Sequence, residues 1–169
     1  MQSALNCLAG VLASVAIVNS AGAQGGAQGL LTVRELSIGM ALEIAQGALE
    51  ACRQKGASIA VSVVDRGGHV IVTLRDDGAA HHTVELAQRK AYTARIFRQT
   101  TREFVERLIN NPRAQGLRDT TGALASFGGV PVKFGEETIG GVGVSGAPGG
   151  PNDEACAQAG IDKVADRLK

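Results

Sequence analysis

Two adjacent histidines, His81 and His82, are the first residues of this sequence whose type and spacing suggest chemistry. Imidazole nitrogens are common ligands of iron and of haem iron, so this pair could hold either one. The alternative is a solvated turn after Asp76-Asp-Gly78, in which one histidine caps the next helix. His69, beside a turn, is a third candidate ligand, and Tyr92, the only tyrosine, is a fourth.

Charged and hydroxyl side chains suggest a second kind of chemistry. Lys90 lies among small residues of a predicted helix, where a lysine can be partly buried and paired. A glycine-lined groove that holds such groups would bind a propionate or a small acid, or do acid–base chemistry on a small acid. No nucleophile–base pair stands out in the sequence. The candidate ligand-binding residues are Asp65, Arg75, Lys90, Ser145 and Glu154.

Two other patterns resemble known sites but have simpler explanations. Gly141-Val-Gly-Val-Ser-Gly146 matches G-x-G-x-x-G, yet too little chain follows it for the βαβ unit of a dinucleotide site. These glycines more simply allow a backbone or a ligand to approach a strand closely. Glu103 and Glu106, one helical turn apart, could hold a hard cation, although a solvated helix face is the simpler explanation. Asp153 opens the last predicted helix, where a negative charge favours the helix dipole.

Cys52 and Cys156 lie far apart in the chain, and Cys7 lies near its start. In an oxidising compartment Cys52 and Cys156 could form one disulfide, and otherwise they would be two separate buried thiols. The sequence leaves both alternatives open. Because there is no C-x-x-C pattern, a zinc site or a thioredoxin-type redox motif is not expected.

The first 23 residues include no charged residue. The stretch from Leu8 to Val18 is apolar but shorter than the roughly 20 residues that span a bilayer, and Ala21-Gly-Ala23 matches a signal-peptidase site. We therefore expect a signal peptide at 1–23, a linker at 24–30 and one domain at 31–169, in a protein that is periplasmic or secreted. The alternative is a buried N-terminal helix, and the lack of Lys or Arg before the apolar stretch is atypical of a signal.

The periodicity of apolar residues predicts an α/β (α+β) domain in which hairpins dominate the sheet. A capping-box pattern at Thr32-Val-Arg-Glu35 predicts the start of the first helix, and Gly56 predicts its end. Further helices are expected at 83–97, 101–110 and 152–168, and strands at 58–64, 69–75, 123–127, 130–134 and 138–145. The net charge of +1 gives no basic footprint for nucleic acid, and no later apolar run is long enough to cross a membrane.

A series of short motifs runs in a fixed order from about Leu31 to Leu168, and the series resembles a known family. The motifs are Val63-Val-Asp-Arg-Gly-Gly-His-Val70, Leu74-Arg-Asp-Asp-Gly78, Ala87-Gln-Arg-Lys-Ala-Tyr-Thr-Ala94, Gly128-Gly-Val-Pro131, Ile139-Gly-Gly-Val-Gly-Val-Ser-Gly146 and Asp153-Glu154. Together they resemble the GlcG/HbpS-like (haem-degrading domain) family. The resemblance implies a profilin-like fold, with a five-stranded, mainly antiparallel sheet flanked by helices. It also implies a homo-oligomer built from dimers into tetramers or octamers, and a fold in which Cys52 and Cys156 could lie side by side.

The resemblance implies several functions, because some members are secreted and bind haem or iron while others serve catabolic pathways in the cytoplasm. A signal peptide favours an exported haem- or iron-binding protein for haem uptake, storage or sensing. In that hypothesis His81, His82 or His69 binds the iron, and Arg75 or Lys90 pairs with the propionates. One alternative is an enzyme or accessory protein that acts on a small organic acid or carbonyl compound. Another is an oligomeric structural or sensor-accessory domain without a ligand.

Overall fold

The computed structural model describes residues 29–169, and the compact unit covers Val33–Lys169. The predicted signal peptide and most of the predicted linker lie outside the described residues. The helices are α1 (Ile38–Arg53), α2 (Thr83–Phe97), α3 (Thr101–Asn110) and α4 (Gly150–Asp162), and short 3-10 helices cover Pro112–Asp119 and Ala165–Arg167. The strands are β1 (Ala60–Val64), β2 (Val70–Arg75), β3 (Gly129–Phe134) and β4 (Glu137–Ser145).

The four strands form one antiparallel sheet in the order β2-β1-β4-β3. The register places Ala60 of β1 between Arg75 of β2 and Ser145 of β4. The antiparallel sheet confirms the predicted architecture, with four strands in the described chain where five were expected. The predicted strand at 123–127 is a loop, because its Leu124 amide donates to the Thr93 hydroxyl of α2 at 2.8 Å and not to a neighbouring strand.

Helices α1 and α4 pack together on one face of the sheet, where β1 and β4 contribute valines to the main hydrophobic core. A disulfide joins Cys52 of α1 to Cys156 of α4, with the two Cα atoms 5.6 Å apart. Of the two alternatives that the sequence leaves open, a disulfide or two separate buried thiols, the structure has the disulfide. It joins two helices that are separated by 104 residues in the chain.

Helix α2 packs on the opposite face of the sheet, directly on the glycines of β4. A Cβ atom on Gly143 would collide with the Ala87 carbonyl oxygen and the Ala91 amide nitrogen. The G-x-G-x-x-G pattern therefore serves the close approach of a helix backbone to a strand. The bounds of α2 match the prediction, and α3 has the predicted capping box between Thr100 and Glu103.

The predicted start of α1 at Thr32-Val-Arg-Glu35 is wrong. The helix begins at Ile38, and the Ser37 hydroxyl is its cap, accepting from the Met40 amide at 3.2 Å. The Glu35 carboxylate instead accepts from the backbone amide of Arg66 at 2.9 Å, in the turn after β1. The last helix is also shorter than predicted, because α4 ends at Asp162 and a separate 3-10 turn follows.

Candidate functional site

His81 and His82 occupy the exposed turn between β2 and α2. The Arg75 guanidinium Nη1 contacts His81 Nδ1. A guanidinium can only donate, so His81 Nδ1 accepts in this contact. Arg75 therefore already occupies this ring nitrogen of His81.

His82 has a different environment from its neighbour. It occupies the N-cap position of α2, but its side chain makes no capping hydrogen bond. The imidazole is exposed, and neither ring nitrogen has a hydrogen-bond partner among residues 29–169. A ring nitrogen of His82 is therefore free to bind a metal ion from solvent.

His69 lies at the other end of β2. Its amide donates to Asp65 Oδ1 at 2.8 Å, and its ring nitrogen Nδ1 lies 3.5 Å from the same oxygen. The side chain is 85% exposed. The six residues of β2 extend over about 20 Å and place His69 at the opposite end of the strand from the turn that holds His82. Among residues 29–169, no three His, Cys, Asp or Glu side chains come together as a bare metal ion would require.

Lys90 is buried and paired, as its alanine-rich surroundings predict. Its Nζ donates to Asp153 Oδ2 at 2.8 Å and to the Val144 carbonyl at 2.9 Å, and the two side chains are 4% and 5% exposed. The other carboxylate oxygen of Asp153 accepts from the Ala147 amide at 2.9 Å. Burial raises the pKa of Asp153, and the hydrogen bond and charge of Lys90 oppose that rise.

The sequence places Asp153 at the start of the last helix, where its charge favours the helix dipole, and does not predict its pairing with Lys90. The signal that points to a crowded position is the Gly128-Gly129 pair. A Cβ atom on Gly128 would lie 2.7 Å from the Asp153 Cβ and 3.0 Å from the Lys90 Nζ. The glycine is needed because the ion pair fills the space that a side chain would take.

The five predicted ligand-binding residues do not form one groove. Asp65 follows β1 at one end of the sheet, whereas Arg75 and Ser145 lie at the other end, on either side of Ala60. Ser145 is buried. Glu154 pairs with Arg102 of α3, whose Nε lies 3.0 Å from the carboxylate. Lys90 is held inside the protein by Asp153.

A cavity that the sequence patterns do not predict lies along β3. It has a volume of about 560 Å³, within the range of small-molecule sites. Its apolar wall includes Val130, Pro131 and Ile161. The cationic side chains Arg98 and Lys133 also line it. Of the described residues that line it, none is His, Cys, Met or Tyr, the side chains that commonly bind haem iron.

The family assignment rests on the sequence match across this fold. The model of the family described as "Haem degrading protein HbpS-like" matches residues 36–162. The chain belongs to the HbpS-like family. This confirms the resemblance that the motifs suggested, and the match includes every strand and helix from α1 to α4. No helix in the described part of this HbpS-like chain is long and apolar enough to cross a membrane.

Three proteins illustrate what this HbpS-like chain is similar to. The protein GlcG of Escherichia coli (strain K12) is 36% identical over 111 residues, which are 65% of this chain and 81% of GlcG. A crystal structure of HbpS is 39% identical, covering 81% of this chain and 95% of HbpS, with a TM-score of 0.77. A crystal structure of a PduOC:haem complex is 29% identical, covering 76% of this chain and 94% of PduOC, with a TM-score of 0.68.

Proposed function

We propose that this protein is an exported haem-binding protein. The observation that carries the proposal is its likeness to the chain of the PduOC:haem complex, at a TM-score of 0.68 over 76% of this chain. The description of its family as haem-degrading supports the same ligand. Haem uptake, storage and sensing all begin with this binding step.

The residues present fit a haem iron at His82. A haem iron takes only its axial ligands from the protein, so one free imidazole is sufficient. His82 is exposed and has no hydrogen-bond partner in the described chain, whereas Arg75 occupies the ring nitrogen of His81. Bound haem would supply a redox-active iron. His82 would bind that iron, and the exposed Arg75 is the nearby cation for a propionate.

A haem titration followed by absorption tests the proposal. The wild-type protein should shift the Soret band, and His82→Ala should weaken binding at least about tenfold, since each factor of ten corresponds to 1.4 kcal/mol. His69→Ala tests the other exposed candidate, which lies at the other end of β2, and it should bind haem like wild type if His82 is the ligand. A wild-type protein without a Soret shift would contradict haem binding. A His82→Ala protein that binds like wild type would contradict the ligand assignment alone.

Export is part of the proposal and is supported by the Cys52–Cys156 disulfide. Disulfides persist in oxidising compartments such as the periplasm and are rare in the cytoplasm. The expected cut after Ala23 would leave a protein that begins at Gln24. Intact mass measurement on protein from the periplasmic fraction should give that start and a mass two hydrogens below the reduced form. Protein that stays in the cytoplasm with its first residues attached would contradict export.

A homo-oligomer is also part of the proposal. Strand β2 is an edge strand of the described sheet, and Val70, Ile71 and Val72 along it are exposed or half-buried. An apolar edge strand of this kind is usually paired or covered in a native protein. Light scattering on the purified protein should give a multiple of the monomer mass, and a monomer at micromolar concentration would contradict the oligomer.

A further inference from the structure

Three arginines, one from the turn after β1 and two from the C-terminal end of α2, line one small cavity at the end of the sheet where β1 ends and β4 begins. Arg66 lies in the turn after β1, Arg95 in the last turn of α2, and Arg98 directly after α2. The remaining lining residues are Glu136, Glu137 and Thr138. The cavity has a volume of about 130 Å³. About four water molecules occupy this volume in liquid water.

The charges of these arginines are only partly neutralised by the described residues. Arg66 pairs with Glu137 at 2.6 Å, and Arg34 lies 3.4 Å from the same carboxylate. Within residues 29–169, neither Arg95 nor Arg98 forms an ion pair. Two guanidinium atoms, Arg66 Nη1 and Arg95 Nε, are buried without a hydrogen-bond partner. Buried donors are nearly always paired, so these two atoms point to a missing acceptor.

The carboxylates at and near the cavity leave both atoms without an acceptor. Of the two that line it, Glu137 pairs with Arg66 Nη2 and Arg34 Nη1, and Glu136 is exposed. The Glu35 carboxylate accepts from the backbone amides of Leu36 and Arg66 at 3.2 and 2.9 Å. Asp65 accepts from the His69 amide at 2.8 Å. The pKa of Arg95 is lowered first by burial and then by the charges of Arg66 and Arg98, and the charges of Glu35 and Asp65 oppose this only in part. Two buried guanidinium N–H groups of the cluster therefore have no acceptor among residues 29–169.

Arg98 adds an independent observation from the backbone. It ends α2 in the left-handed region, with φ at 56°, and it is the only non-glycine residue in 29–169 with positive φ. Glycine is the usual residue at such a position because a Cβ atom is unfavourable there. Unfavourable backbone conformations tend to be kept where the side chain has a function. The exposed Arg98 side chain lines this cavity as well as the 560 Å³ cavity along β3.

We propose that Arg66, Arg95 and Arg98 form a binding site for a small oxyanion, a carboxylate or phosphate group. The guanidinium fork matches both groups, because each presents two oxygens to two N–H donors. The volume of about 130 Å³ suits a small anion. It lies at the C-terminal end of α2, whereas His82 lies at the N-terminal end, about 22 Å away along fifteen residues. The site is therefore separate from the proposed haem ligand, and a negative haem titration would not affect it.

The test is a titration of the full chain with sodium acetate and with sodium phosphate, at pH 7 and constant ionic strength set by sodium chloride. Amide signals of Gln99 and Thr138 in ¹⁵N-labelled protein should move with one or both oxyanions and not with chloride. The two anions together show whether the site prefers a carboxylate or a phosphate group. Equal responses to acetate, phosphate and chloride would overturn the proposal.

Variants separate binding from folding. Arg95→Met should weaken oxyanion binding at least about tenfold. Arg98→Gly should also weaken oxyanion binding at least about tenfold. In the absence of anion it should raise the melting temperature, because glycine suits the left-handed backbone. Glu136→Gln should strengthen binding, because it removes a negative charge from the lining. Arg113→Met, at an exposed arginine outside the cavity, is the matched control and should bind like wild type.

Two results in these variants would overturn the proposal. One is an Arg98→Gly protein that binds acetate and phosphate as well as Arg113→Met does. The other is an Arg98→Gly protein with lower haem affinity, which would place the arginines in the haem site. Arg98→Gly keeps the test decisive even if Arg95→Met fails to fold.

Discussion

At the scale of single residues, the buried pair of Lys90 and Asp153 connects α2 with β4 and α4. The lysine also donates to the Val144 carbonyl, and the carboxylate accepts from the Ala147 amide. A buried ion pair with this many hydrogen bonds is costly to break, because one partner then remains charged in the interior.

Lys90→Met should therefore lower the free energy of unfolding by about 3–5 kcal/mol at pH 7. Burial already raises the pKa of Asp153, and losing Lys90 removes the opposing effect. The folded state then keeps a proton that the unfolded chain releases near pH 4, so stability falls as the pH rises from there through the raised pKa of Asp153. Urea unfolding at pH 5 and pH 7 measures this.

The exposed Lys55 provides the control for that experiment. Lys55→Met should change the free energy of unfolding by less than about 0.5 kcal/mol at either pH. If Lys90→Met lowers the free energy of unfolding no more than Lys55→Met does, the structural role of the Lys90–Asp153 pair is contradicted.

At the scale of elements, sequence patterns predict those helix bounds that depend on residues close together in the chain. The bounds of α2 and α3 follow from apolar period and capping signals, and both are confirmed. The start of α1 could not be predicted in this way, because Glu35 fits a capping box and yet binds the Arg66 amide, 31 residues away in the chain. Burial of Lys90 was predictable from its small neighbours, but its partner, 63 residues further on, was not.

The contact between α2 and β4 gives a prediction at this scale. Gly143→Ala places a methyl group against the backbone of Ala87 and Ala91, so the helix must move away from the sheet. Overpacking of this kind costs about 1–3 kcal/mol or more. Gly116→Ala is the control, because a Cβ atom there meets nothing within 4 Å. Thermal unfolding that is unchanged in Gly143→Ala would contradict the close packing.

At the scale of the whole molecule, the disulfide closes a loop that includes most of the described chain. The separation of 104 residues between Cys52 and Cys156 corresponds to about 4.7 kcal/mol in the chain-entropy model. The sequence could name the two cysteines but not pair them, since pairing depends on the packing of α1 against α4. The contacts of the candidate site could not be predicted for the same reason. The sequence does not show that Arg75 contacts His81 or that Asp153 pairs with Lys90.

Replacing both cysteines with alanine should lower the free energy of unfolding by about 2–5 kcal/mol. Urea unfolding of the oxidised wild type and of Cys52→Ala/Cys156→Ala measures the difference. Reduced wild type should resemble the double variant. Equal midpoints for all three proteins would contradict a stabilising disulfide.

We propose that this member of the HbpS-like family is exported and binds haem. The gene for all 169 residues should be expressed, and the protein purified from the periplasm should be measured by intact mass and by absorption before and after one equivalent of haem. We predict a mass that begins at Gln24, an intact disulfide, and a Soret band that is present or appears on addition and that is weakened in His82→Ala. A protein that reaches the periplasm folded and oxidised, but shows no Soret shift with haem, would contradict the claim.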